Sequence, residues 1–164
     1  MKKSVYIETS IPSYLSARPS RDVRAAAWQH ITNQWWDEAR GDYELFTSEL
    51  VIVEAAAGDP EAATRRLEAL EEIDRLPIDE EVQALAEQLV SKGGIPSAAE
   101  ADSLHVAVAA VHNIDYLLTW NFRHIDNAAM KPIMRSICTD AGYVCPEICT
   151  PMELLPEDED DVQG

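Results

Sequence analysis

The sequence has no apolar run of the roughly 18 residues that would span a bilayer. Its first apolar stretch, Val5-Tyr6-Ile7, turns polar again too soon to form the core of a secretory signal. These two absences predict a cytoplasmic protein with no membrane partner. Cysteine is scarce: Cys138, Cys145 and Cys149 are odd in number and crowded toward one end. That suits free thiols in a reducing compartment rather than a disulfide framework, and the spacing is not that of a zinc knuckle. No glycine-rich phosphate loop, nucleophile elbow or Cys-His arrangement occurs, so covalent catalysis and nucleoside-triphosphate chemistry have no support. Positive charge is short as well, with 13 Lys and Arg against 30 Asp and Glu and a formal net charge of −17. Neither a basic recognition helix nor a basic stripe is present, which argues against a DNA-binding regulator. The same acidity runs against nucleic-acid binding in general, where Lys and Arg neutralise phosphate. Two features soften that objection. The block Glu157-Asp158-Glu159-Asp160-Asp161 reads as a solubilising tail. A site for divalent cations also needs excess carboxylate, and the bound ion then supplies the positive charge that phosphate meets.

What is present is enough for one sizeable core: 164 residues, 46% of them hydrophobic. We read one domain over 1–155 and an acidic disordered tail over 156–164. Ser4-Val5-Tyr6-Ile7 is a short β-branched and aromatic run that predicts a buried first strand, ending before the breaker Pro12. Apolar residues then recur at helical spacing from Arg21 to about Arg40, with Ser20 as the expected cap and Gly41 as the stop. Tyr43–Thr47 predicts the second strand. Ser48 should cap a short helix through Ala57, and Asp59-Pro60 should open another to about Glu72. Ile73–Leu76 fits a third strand and Asp79 the cap of a helix reaching Val90. Ser97-Ala98-Ala99-Glu100 has capping-box spacing before a helix to about His112. Tyr116–Thr119 predicts the fourth strand, His124 to Ile137 a helix interrupted by Pro132, and Glu147–Pro151 a last strand, with Met152–Leu155 as a closing turn. Strands alternating with helices predict a three-layer α/β/α domain around a mostly parallel sheet. In such sheets a site lies beyond the carboxyl ends of the strands, which singles out Glu8-Thr9-Ser10 and Thr119-Trp120-Asn121.

Individually the polar candidates are ambiguous. Glu8, ending a buried strand, is either a ligand or a strand-end residue facing water. Asp102 lies in the first turns of an almost wholly apolar helix, where an anion compensates the helix dipole or serves a site. Glu100 reads as the reciprocal member of the capping box. Glu54 shares a helical face with Leu50 and Val51, which favours burial over exposure. His30, His105, His112 and His124 form no pair at metal-ligand spacing and read as core or surface histidines.

Taken in order, Val5-Tyr6-Ile7-Glu8-Thr9-Ser10, Glu54, Asp102-Ser103-Leu104-His105-Val106-Ala107, Leu117-Leu118-Thr119-Trp120-Asn121-Phe122 and Thr150-Pro151-Met152-Glu153-Leu154-Leu155 strongly resemble the PIN-domain family, and within it VapC-type toxins. The resemblance implies a parallel sheet flanked by helices and acids gathered at the strand ends around Mg²⁺ or Mn²⁺. It places Glu8, Glu54 and Asp102 as metal ligands, with Thr119 and Asn121 beside them. Glu8 stands where the family usually has aspartate, and Asn121 where many members carry a fourth acid. The implied activity is endoribonucleolytic cleavage by metal-activated water, with RNA as substrate, a small antitoxin protein as partner in a type II toxin–antitoxin pair, and a homodimer as the assembly. Arg18, Arg21, Arg24 and Arg123 are the cations best placed for RNA phosphate. The alternative is a catalytically weakened PIN-like scaffold.

Overall fold

The computed structural model describes residues 1–157, so the acidic tail expected from 156 onward lies outside the described residues from Asp158. Its five strands are β1 (Lys3–Ile7), β2 (Tyr43–Ser48), β3 (Asp74–Leu76), β4 (Tyr116–Leu118) and β5 (Glu147–Cys149). Every pairing is parallel, and the order across the sheet is β3-β2-β1-β4-β5. Parallel neighbours need crossovers, and the seven helices supply them: α1 (Ser10–Ser16), α2 (Val23–Glu38), α3 (Glu49–Ala55), α4 (Pro60–Leu70), α5 (Glu80–Ser91), α6 (Glu100–Val111) and α7 (Lys131–Asp140). Successive side chains on a strand point to opposite faces, yet Val5, Tyr6 and Ile7 are all fully buried. Both faces of the sheet are therefore covered, and the expected α/β/α architecture is the one observed. Strand order reverses at central β1: the chain lays β2 and β3 to one side of it, then returns to place β4 and β5 on the other. A crevice opens at such a switch point, outside the carboxyl ends of the strands.

Local chemistry explains most of the element boundaries. Ser48, Asp59 and Asp79 cap α3, α4 and α5 by accepting from Val51, Ala62 and Val82 N–H groups. Four expectations need correcting. Residues 10–16 form a helix despite Pro12, which sits in the first turn where its missing N–H has no intrahelical partner to lose. Asp22, not Ser20, caps α2, accepting from Ala25 N at 2.9 Å, while Ser20 Oγ accepts from Asp22 N one turn earlier. The capping box at Ser97–Glu100 does not form: Ser97–Ala99 make a 3₁₀ turn, and Glu100, exposed, begins α6 without a side-chain cap. The box appears instead at Thr150 and Glu153, where it starts the closing 3₁₀ turn Pro151–Leu154. Finally, residues 121–130 are turns held by Asn121 and Asn127. The helix starts only at Lys131, so Pro132 opens it rather than interrupting it.

Trp35 is fully buried, and its indole N–H has no hydrogen-bond partner among the described residues. An unmet buried donor costs about 1–3 kcal/mol, whereas truncating a buried tryptophan to alanine costs about 3–5 kcal/mol through lost packing. Trp35→Phe, which discards the donor and keeps much of the ring, is therefore expected to lie within about 1 kcal/mol of wild type. Trp35→Ala should lose several times that. Urea unfolding of the two variants checks the contrast, and equal losses would mean the donor carries no penalty.

Candidate active site

The end of β1 delivers Glu8 into the crevice. Only 5% of this residue is exposed, so its charge must be met inside the protein. Oε1 accepts from the Thr119 hydroxyl at 2.7 Å and Oε2 from the Ser10 N–H at 2.7 Å. Thr119 follows β4, and its hydroxyl also accepts from Asn121 N at 2.9 Å. Residues 111 positions apart are thereby fastened across the β1–β4 seam.

Glu54 arrives from α3, half-buried, on the face its spacing from Val51 suggested. Its Oε1 takes the Thr9 hydroxyl at 2.5 Å and meets His105 Nε2 at 2.7 Å. His105 is fully buried on α6, one turn beyond Asp102, and its Nδ1 lies 2.8 Å from the Tyr6 hydroxyl, which in turn lies 2.8 Å from Ser48 Oγ. A chain Ser48–Tyr6–His105–Glu54–Thr9 thus runs beneath the crevice and links β1, β2, α3 and α6. Burial alone would push the Glu54 carboxyl up, but the hydrogen bond from His105, the imidazole's charge and the Thr9 hydroxyl leave it below its ordinary value. Burial would likewise lower His105. Its bond to Glu54 and the negative charges of Glu8, Glu54 and Asp102 outweigh that and raise it. Burial drives the Tyr6 phenol far up, so it stays neutral.

Asp102, partly buried in the first turn of α6, has Oδ2 at 3.1 Å from His124 Nδ1. Asn121 Oδ1 accepts from His124 N at 3.0 Å and so shapes the turn that presents this imidazole. Hydrogen bonds thus join Glu54 to His105, Glu8 to Thr119 and Thr119 to Asn121, while His124 links Asn121 to Asp102. Of the candidate cations, Arg18 is exposed and pairs loosely with Glu61 at 3.5 Å. Arg21 and Arg24 are exposed at the start of α2, and Arg123 is exposed immediately after Phe122; these three make no ion pair among the described residues.

Reading the sequence passed over Tyr6, His105 and His124. His30 and His112 do behave as surface histidines, the latter bonding the Pro77 carbonyl at 2.9 Å. His105 and His124 instead face two of the candidate acids. The one signal available beforehand was His105 three residues after Asp102, a spacing that puts two side chains on one helical face.

The donor chemistry suits a hard cation, since carboxylate oxygen is what Mg²⁺ and Mn²⁺ take. Glu54 Oε2 and Asp102 Oδ1 accept no hydrogen bond among the described residues. Among those residues, however, no three His, Cys, Asp or Glu side chains already converge closely enough to hold one ion. Instead, each of these two carboxylates has one oxygen against an imidazole, Glu54 against His105 and Asp102 against His124.

No helix among the described residues is long and apolar enough to cross a membrane. No curated protein matches the sequence. Solved structures share the fold, two of them as follows. Mycobacterium tuberculosis VapC20, described as a sarcin-ricin loop cleaving toxin, is 15% identical at a TM-score of 0.55, over 85% of this chain and 96% of that one. Rickettsia felis VapBC2, bound to a DNA fragment from its promoter, is 12% identical at a TM-score of 0.53, over 90% and 98%. The family model for the PIN domain matches residues 5–129, a span that contains Glu8, Glu54, Asp102, Thr119 and Asn121, and the chain belongs to the PIN domain family.

Proposed function

We propose that the protein is a metal-dependent endoribonuclease of the PIN type, acting as the toxin of a type II toxin–antitoxin pair and held in check by a small antitoxin protein. The observation that carries this reading is the gathering of Glu8, Glu54 and Asp102, with Thr119 and Asn121, at the switch point of a parallel sheet. Membership of the PIN family supports it, as does the fold shared with a toxin described as cleaving the sarcin-ricin loop. The antitoxin partner and a homodimer are part of the same proposal.

Glu8, Glu54 and Asp102 would hold Mg²⁺ or Mn²⁺, which keeps several waters and needs few protein ligands. When bound, the ion would offset charge developing on the phosphate and activate the attacking water. The chain's own groups set the stage for this. Thr119 and the Ser10 N–H fix both oxygens of Glu8, and His105 and Thr9 fix one oxygen of Glu54, leaving the other without a hydrogen bond among the described residues. Asn121 shapes the turn carrying His124, which orients Asp102. The exposed Arg21, Arg24 and Arg123 would take RNA phosphates.

A second reading, a catalytically weakened scaffold, is favoured by the imidazoles that already occupy one oxygen each of Glu54 and Asp102 and by the lack of three converging ligands among the described residues. Cleavage of an RNA pool by purified protein with Mn²⁺, stopped by EDTA, decides between them. No cleavage at any Mn²⁺ concentration would leave the scaffold.

Asn121 provides a graded test. Aspartate can shape the same turn through its carboxylate oxygen, so Asn121→Asp should keep the fold while adding one negative charge to the turn whose His124 meets Asp102. It is expected to lower the Mg²⁺ concentration for half-maximal cleavage, because site affinity follows ligand charge. Unchanged Mg²⁺ titration curves would confine Asn121 to its turn.

A further inference from the structure

Beside the acidic crevice stands a group of rings that the chemistry above does not use. Trp120 and Trp28 stack with centroids 5.4 Å apart and planes 16° from parallel. Phe122 leans on both, at 5.5 Å from Trp28 and 6.0 Å from Trp120, and Tyr14 packs edge-on against both tryptophans. Polar bonds lock this group in place. The Trp120 indole N–H donates to Thr32 Oγ1 at 2.8 Å, Thr32 donates to the Trp28 carbonyl at 2.6 Å, and Trp120 N donates to Ser10 Oγ at 2.8 Å. Trp120 is 6% exposed and belongs to the core, but Phe122 is 41% exposed. An aromatic ring left open at the edge of a rigid cluster gains nothing for the fold from its exposed part.

Its position in the chain adds to this. Thr119 bonds Glu8, Asn121 shapes the turn to His124, and Arg123 is exposed; Trp120 and Phe122 alternate with them on the same short segment. A ligand seated at the acids would pass this edge. With a net charge of −17, the protein cannot draw much RNA affinity from phosphate neutralisation. Ring stacking is the other general source of affinity for single strands, because every base has a π-face.

We propose that Phe122, backed by the Trp28–Trp120 stack, is a shelf on which an unpaired base of single-stranded RNA stacks next to the phosphate at the acidic crevice. This rests on the ribonuclease reading and narrows its substrate to strands with an unstacked base at that place. A ring already ordered by its neighbours loses little freedom on binding, so the stacking contributes to affinity largely undiminished.

The test uses the full chain and a fluorescein-labelled, single-stranded oligoribonucleotide of mixed sequence, with EDTA present so that nothing is cut, and reads affinity by fluorescence anisotropy. Phe122→Tyr keeps the ring, Phe122→Leu keeps apolar bulk without a flat face, and Phe122→Ala removes both. Phe122→Leu and Phe122→Ala are expected to bind roughly tenfold more weakly, with Phe122→Tyr close to wild type. The salt dependence of binding should be unchanged across the series, since no charge is altered. Wild-type affinity in Phe122→Leu would overturn stacking as the role of this ring. Wild-type affinity in Phe122→Ala as well would leave the edge to a protein partner. If Mn²⁺-dependent cleavage by wild type persists in either case, only the shelf falls. If wild type neither binds nor cleaves RNA, both readings fall together.

Discussion

Asp102→Asn is expected to cut Mn²⁺-dependent RNA cleavage by roughly 10²–10³-fold, the usual effect of removing one preorganised electrostatic group from a site. The substitution is nearly isosteric, and the amide oxygen can still meet His124 Nδ1, which now stands 3.1 Å from Asp102 Oδ2. Only the charge is removed. Asp102 lies in the first turn of α6, where losing an anion forfeits about 0.3–1 kcal/mol of dipole compensation, so thermal unfolding should shift little. A rate loss therefore reports on the site and not on folding. Calorimetric titration with Mn²⁺ should show weaker binding in parallel, since one of three carboxylates no longer draws the ion. Cleavage and Mn²⁺ affinity equal to wild type would remove Asp102 from the machinery.

His105→Leu should be costly in another way. The imidazole is fully buried between the Tyr6 hydroxyl and Glu54. Leucine fills similar space but leaves Glu54 in a part-buried position with Thr9 as its only polar partner among the described residues. Removing one member of a fully buried ion pair costs about 3–5 kcal/mol. Because Glu54 retains some contact with water, about 2–3 kcal/mol is the expected loss in EDTA, measured by urea unfolding. The pH dependence sharpens the test. Glu54 is held below its ordinary 4.5, so its contribution to stability is complete above that pH and is lost as pH falls through the lower folded value. His105 is held above its ordinary 6.5, so its contribution is complete below that pH and is lost as pH rises through the higher folded value. Metal-free wild type should thus be supported by both between 4.5 and 6.5, and His105→Leu should lose that support on both sides. A variant whose stability tracks wild type at every pH would show that the pair does not hold α3 to α6.

What could be read in the sequence follows from how local each signal is. Ser48, Asp59 and Asp79 cap their helices because a cap needs only its own next three residues. The β1 run is buried on both faces and so shows as an unbroken apolar stretch. Pro12 misled because proline stops a helix in its interior but not in its first turn, and the chain alone does not say where the turn begins. Ser97 and Glu100 have the right spacing for a capping box, but a 3₁₀ turn intervenes and the two groups never face each other's N–H. At the candidate site, the acids taken singly have ordinary local explanations, and only their order along the chain, through the resemblance to the PIN-domain family, singles them out. Their partners are not legible in this way, because whether Tyr6 and His105 meet depends on the docking of α6 against β1, 99 residues apart.

The fastening of Glu8 to Thr119 also bears on biosynthesis. β1 leaves the ribosome first, yet it cannot gain its second neighbour until β4, at Tyr116–Leu118, has emerged. Sheets closed by such distant pairings form late, after the cost of closing a long loop has been met. A nascent or truncated chain ending before Tyr116 would hold Glu8, Glu54 and Asp102 but lack the Thr119 hydroxyl that seats one oxygen of Glu8, and Val5, Tyr6 and Ile7 would lack the strand that covers one edge of β1. Unfinished copies should appear to the cell as exposed apolar strands, open to chaperones and proteases.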